Sequence, residues 1–192
     1  MSIGTRDLLL KEAETLARTR GYAAFSYADL AERVGIRKAS VHHHFPTKEA
    51  LGVAVVCGYL EEFKSALEVL LEEETSAKAR LAAYSRFFTD SVSNGLMPLC
   101  AALSAEVAAL PKSMKAQVST FFELHLDWLA RVVRDGIADG EFRANLDVHR
   151  TATMLLSVVE GASLVAWAIK DSTRIEPTFL QAIETLTDQG AA

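Results

Sequence analysis

The chain has 192 residues, of which 50% are hydrophobic and 23% charged, with a formal net charge of −5. This is enough apolar material for one good core, or for a small unit joined to a larger one, while the acidic total argues against a nonspecific nucleic-acid coat, which needs a broad positive surface. Two cysteines, Cys57 and Cys100, are too few for a disulfide framework, and with no signal peptide and no uncharged apolar run of about 18 residues the expectation is a soluble, cytoplasmic protein without a membrane partner.

Helical periodicity starts at once. From Thr5 to Thr19 the apolar residues Leu8, Leu9, Ala13, Leu16 and Ala17 recur at helical spacing, and Gly21 ends the segment. Ser26 followed three residues later by Asp29 reads as a capping box that starts a second helix near Tyr27, with Ala28, Leu30, Ala31 and Val34 as its buried positions. Gly35 then supplies a left-handed C-terminal position at low cost, because it has no Cβ. Ile36 is expected to plug the space between this helix and the next. Arg37, Lys38, Ala39 and Ser40 open a third helix with small or cationic side chains, a helix end able to approach a phosphate wall. Val41 and Phe45 give it one buried edge, His42, His43 and His44 point around its other faces, and Pro46 closes it.

Thr47 caps a fourth helix that runs through Leu51, Val55, Tyr59, Leu60, Phe63, Leu67 and Leu70 to the acidic stretch at Glu72–Glu74. A fifth covers about Ser76 to Ser93, with Leu81, Tyr84, Phe87 and Phe88 on its apolar side, and Asn94-Gly95 breaks it. A short sixth spans Leu99 to Leu110 and stops at Pro111. The seventh runs from Ser113 to about Ala138, and Asp147 caps an eighth over 148–169. That eighth helix is apolar on nearly every side and so must bury two faces, one of them against a partner chain. The ninth, roughly Glu176 to Asp188, places Phe179, Leu180, Ile183 and Leu186 in one stripe. No β-period or internal repeat competes, so the fold class is all-α with about nine helices: an N-terminal three-helix helix-turn-helix domain, residues 1–50, and a larger helical domain, residues 51–192. Residues 1–50 carry a formal charge of +2 and residues 51–192 one of −7, so the basic end is the helix-turn-helix end.

The stretch SYADLAERVGIRKASVHHHFPTKEAL resembles the tetracycline-repressor family of transcriptional regulators through Ser26, Ala28, Asp29, Leu30, Ala31, Gly35, Ile36, Ser40, Val41, His44, Phe45, Lys48, Glu49 and Leu51. One departure is His42, where family members usually carry a Tyr that contacts a phosphate or base edge; an imidazole there makes binding a candidate for pH dependence. The resemblance implies DNA contacts at Ser26, Arg37, Lys38, Ala39, Ser40, His42, His43 and Lys48. Ser26 and Lys48, at helix N-termini, are expected to position the domain on phosphates, and Arg37, Lys38, Ser40 and His43 to read bases.

The same resemblance implies a ligand-responsive homodimeric repressor that binds double-stranded operator DNA. Its dimer would form through the eighth and ninth helices, with close approach at Ala162 and Ala166. A small hydrophobic effector would bind among Tyr84, Phe87, Phe88, Met97, Cys100, Phe121, Phe122, His125, Trp128, Met154 and Trp167. Aromatic and Met residues at this spacing also serve as plain core. Two alternatives stay open: an activator using the same motif, and a redox- or electrophile-responsive regulator acting through Cys100, since family members with Cys-Leu-Cys at the sixth helix keep here only the second cysteine. A metal site in His42–His44 is not expected, because consecutive helical residues point about 100° apart. Glu123, His125 and Asp127 turn to different faces and no phosphate loop or nucleophile motif occurs, so neither a catalytic site nor a cofactor is expected.

Overall fold

The computed structural model describes residues 4–187, and among these the ordered elements are all helical. The helices are α1 (Thr5–Arg20), α2 (Tyr27–Val34), α3 (Lys38–His44), α4 (Lys48–Glu73), α5 (Ala77–Ser93), α6 (Leu99–Ala105), α7 (Lys112–Ala138), α8 (Val148–Ile169) and α9 (Ile175–Glu184). Single 3-10 turns, Val107–Ala109 and Ser172–Arg174, precede α7 and α9. The sixth helix is thus shorter than its apolar pattern suggests, because Glu106 ends it and the chain tightens into the first of these turns. The predicted end of the ninth helix at Asp188 lies outside the described residues.

Packing groups the described residues into two compact units: those up to Glu62 with Leu96–Phe121, and Phe63–Gly95 with those from Phe122 on. Helices α4 and α7 each have residues in both. This grouping does not coincide with a division of the chain at residue 50.

In the first unit, α1 buries Leu9, Ala13, Leu16 and Ala17. α2 buries Tyr27, Leu30 and Ala31, and α3 buries Val41, backed by Phe25 and Phe45. Ala28 is exposed and Val34 and Ile36 only half-buried, so two positions assigned to the α2 core are corrected. An eight-residue helix has room for little more than one fully covered stripe, and here that stripe is Tyr27, Leu30 and Ala31. The anchors Phe25 and Tyr27, which carry much of the packing, escape a period-based reading because they flank the cap.

In the second unit, side chains close the end of α4 and the starts of α5 and α8. Ser76 accepts from Ala79 N–H at 3.1 Å at the start of α5, and the Glu141 carboxylate accepts from the N–H groups of Ala77 (2.8 Å) and Lys78 (3.1 Å). Arg80 closes the C-terminus of α4, donating to the carbonyls of Glu74 (2.9 Å) and Leu71 (3.1 Å). Asp147 caps α8 through Arg150 N–H at 3.0 Å. These bonds satisfy backbone groups that a helix terminus otherwise leaves to water.

By length and composition α8 is apolar enough to cross a membrane, yet one stripe, Thr151, Ala152, Leu155, Leu156, Val159, Ser163 and Ala166, is buried within the unit, against α5 and α9. Its other side exposes Met154, Leu164, Val165 and Ile169, joined by Leu180 of α9, at 37–58%. Ala166, read from sequence as a place of close approach between protomers, is 0% exposed within the chain, and Ala162 packs against the same core. The correction has a simple cause: small residues serve close approach equally well inside a protomer and between two, and periodicity does not say which.

Candidate nucleic-acid interface

The interface is built on the α2–α3 turn. Ser26 accepts from the N–H groups of Ala28 (3.2 Å) and Asp29 (3.4 Å), and the Asp29 carboxylate accepts from Ser26 N–H (2.7 Å) and Oγ (2.6 Å), completing the capping box. These hydrogen bonds from Ser26 hold the Asp29 carboxyl below its usual range. Gly35 adopts φ 73°, ψ 32°, the left-handed conformation read from sequence, and turns the chain sharply into α3.

From that turn, Arg37, Ala39, Ser40 and His43 converge with Ile36 and His44 of the same segment and Thr5 of α1 around a concavity of about 480 Å³. Four of the residues implied as DNA contacts are therefore gathered in one place. Lys38 is exposed beside them without lining the hollow. Thr5, read from sequence only as the start of the first helix, was not among the implied DNA contacts because its link to α3 is tertiary. Nothing in a helix-start threonine announces a neighbour more than thirty residues on.

The other three sit differently. His42 lies against the Tyr27 ring at a centroid distance of 4.7 Å, with its Nδ1 at 3.5 Å from the Pro46 carbonyl. Ser26 spends its hydroxyl on the cap. The Lys48 ammonium donates to the Tyr22 carbonyl at 2.6 Å and to the Phe25 carbonyl, over both of whose rings it rests at 4.5 Å. Burial pulls the Lys48 pKa below the usual lysine range, opposed by the charges of Glu106 and Asp29.

Tyr27 ties the two helices together: its hydroxyl donates to the Phe45 carbonyl at 2.8 Å, and burial, then the neighbouring Tyr22, pushes its pKa up to about 12. Tyr27→Phe leaves that buried carbonyl without its donor, so the variant is expected to lose on the order of 1–2 kcal/mol of stability, measured by urea unfolding. Unchanged stability would show that the bond contributes nothing net.

The residues read as effector contacts are distributed over both packed units. In the second unit Tyr84, Phe88, His125 and Trp128 are buried together, with half-buried Phe87 and Phe122 against the same core. Tyr84 stacks on Trp128 at 5.2 Å, and its hydroxyl is hydrogen-bonded to His125 Nδ1 at 2.6 Å. Burial pushes the His125 pKa down to about 3, so its imidazole is neutral. Phe63, read from sequence only as an apolar position of the fourth helix, joins this cluster at 4.6 Å from His125 and 5.3 Å from Phe87. Trp167 instead lines a separate cavity of about 590 Å³ with Val92, Ser93, Gly95, Ala168, Lys170 and Ser172. Met154 stands on the exposed side of α8. Met97, Cys100 and Phe121 belong to the first unit, where all three are buried and Phe121 lies 5.5 Å from Tyr59. Cys100 is 1% exposed, poorly placed for an oxidant or electrophile in bulk water.

Comparisons with known proteins agree with this architecture. Residues 9–55 match the family described as bacterial regulatory proteins, tetR family, and residues 77–182 match the tetracyclin repressor-like C-terminal domain. The HTH-type transcriptional repressor KstR2 of Rhodococcus jostii is 29% identical over 151 residues, covering 76% of this chain and 72% of its own. The HTH-type transcriptional repressor ComR of Escherichia coli is 27% identical over 169 residues, 84% of this chain and 79% of its own. A TetR-family transcriptional regulator of known structure from Agrobacterium tumefaciens superposes with a TM-score of 0.91 at 32% identity, over 95% of this chain and 97% of that one. With a helix-turn-helix whose Arg37, Ala39, Ser40 and His43 line one concavity and both family segments matched, the chain belongs to the tetR family of bacterial regulatory proteins and is a DNA-binding transcriptional regulator.

Proposed function

We propose that the protein is a homodimeric repressor that leaves its operator when a small hydrophobic effector binds, with residues 1–50 serving as the DNA-binding domain and residues 51–192 carrying effector binding and dimerisation. The observation that carries this reading is the exposed apolar side of α8, Met154, Leu164, Val165 and Ile169, continued by Leu180 of α9. A second copy laid on that stripe buries it as a four-helix interface. It also repeats the helix-turn-helix, as a two-fold protein needs to meet successive major-groove turns roughly 34–36 Å apart.

In this reading Arg37, Lys38, Ser40 and His43 face base edges across the groove, while Ser26, His42 and Lys48 act on the α2–α3 frame and on nearby phosphate. The aromatic cluster of Tyr84, Phe87, Phe88, His125 and Trp128 offers an apolar effector a set of ring faces and one neutral Tyr–His pair. Binding there favours a dimer whose recognition helices no longer match the groove. Because such coupling is reciprocal, operator DNA weakens effector binding by the same factor.

The test is selection of genomic DNA by the purified protein, repeated with His43→Ala and with about 0.3 M added salt. A shared palindrome is expected, with half-sites about one to two helical turns apart. His43→Ala is expected to relax preference at one base position, costing roughly 1–3 kcal/mol at that position. Recovery without sequence preference that vanishes in salt would overturn the reading.

A further inference from the structure

The corner between α1 and α2, residues 21–25, is held from two sides by opposite charges. On one side the Glu106 carboxylate, at the end of α6, accepts from Tyr22 N–H through Oε1 at 2.9 Å and from Ala23 N–H through Oε2 at 2.8 Å. On the other side the Lys48 ammonium donates to the carbonyls of Tyr22 and Phe25. The approach of the carboxylate depends on a bare Cα: Gly21 has φ +94°, and a Cβ there would lie 2.2 Å from Glu106 Oε1. A second tie lies ahead of α6, where Arg18 of α1 donates through Nε to the Met97 carbonyl at 2.8 Å and through Nη1 to Glu14 at 2.6 Å. α6 is thereby fastened to α1 and its corner at both ends.

Hydrogen bonds between a backbone group and a full charge are short and strong. Here they fix the peptide planes from which α2, and after it the recognition helix, set out. We propose that Glu106, in a segment matched to the family's C-terminal domain, is a positioning residue for sequence-specific DNA binding: its two-oxygen grip on the α1–α2 corner sets the aim of α3 in the groove. Glu106 itself touches no base. The inference rests on DNA binding through α2 and α3, and on neither the effector nor the dimer reading.

An aiming role separates two quantities that a plain folding role moves together. Phosphate attraction tolerates a tilted recognition helix, since it depends on charge near the backbone, whereas base-edge hydrogen bonds do not. The test uses the full-length protein with Glu106→Ala and Glu106→Gln, titrated against the palindromic fragment recovered by selection and against a scrambled duplex of equal length, at a temperature where circular dichroism shows each variant fully folded. Glu106→Ala is expected to bind the palindrome about tenfold more weakly and the scrambled duplex as before, so the ratio of the two falls about tenfold. Amide exchange at Tyr22 and Ala23 is expected to speed up in parallel. Glu106→Gln, which keeps one acceptor oxygen, is expected to fall between. Palindrome binding within about twofold of the parent, or an equal loss on both duplexes, would overturn the proposal. Should the alanine variant fail to fold, the glutamine variant decides alone: a folded Glu106→Gln with parental selectivity overturns it.

Discussion

Glu160→Met is expected to make the protein more stable at neutral and alkaline pH. Glu160 lies on α8, and both of its carboxylate oxygens are buried with no hydrogen-bond partner among the described residues. Burial pushes its pKa from the ordinary 4.5 up to about 7. The folded state therefore holds a proton that the unfolded chain gives up, over the window from 4.5 to about 7. This contribution is complete below that window and is lost as pH rises through it, by up to about 3 kcal/mol. Methionine has a similar length and no charge to bury, so the variant escapes the loss. At about pH 8 its thermal midpoint is expected to lie on the order of 5 °C above the parent's, with the difference closing toward about pH 5.

His125 supplies the opposite slope. Its pKa is pushed down to about 3 from the ordinary 6.5 by burial. The unfolded chain thus binds the extra proton, and stability is lost as pH falls through that window. Between 4.5 and 6.5 the two linkages oppose each other. Urea unfolding of the parent and of Glu160→Met and Glu160→Gln at several pH values measures this directly. If the parent's stability does not fall as pH rises through neutrality relative to either variant, the Glu160 carboxyl is paired or hydrated in solution.

A charge at Leu164 or Val165 is expected to split the proposed dimer and weaken operator binding with it. These side chains are 58% and 55% exposed in the single chain, so the protomer tolerates Leu164→Glu or Val165→Glu. A second copy laid over the stripe would have to bury that carboxylate against apolar side chains. The dimer is expected to weaken by about 10²-fold or more, on the order of 3 kcal/mol, and operator affinity to drop at protein concentrations below the new dissociation constant. Sedimentation velocity and operator titration on the same samples check both. If both variants remain dimeric with parental DNA affinity, the α8 stripe is not the interface. Ala166 does not serve this purpose, because a charge there enters the protomer's own core.

What the sequence determined by itself was local. The capping box at Ser26 and Asp29, the left-handed Gly35, the Thr47 and Asp147 caps and the limits of α8 were all legible, because each rests on interactions within one helical turn and on which backbone conformations a residue tolerates. The recognition segment was legible for the same reason: its small and cationic opening is a property of consecutive residues.

Tertiary structure decided which chemistry each side chain is left with. Lys48 and Glu106 close on the same corner from distant parts of the chain, Thr5 joins the α3 hollow, and Phe63 completes the ring cluster around His125. The eleven residues read as one effector site divide between two packed units, and Ala166 turns inward while Leu164 and Val165 turn out. Helical periodicity tells which residues share a face but not what that face meets, since the free energy of burial depends on apolar area and hardly on the identity or sequence distance of what covers it.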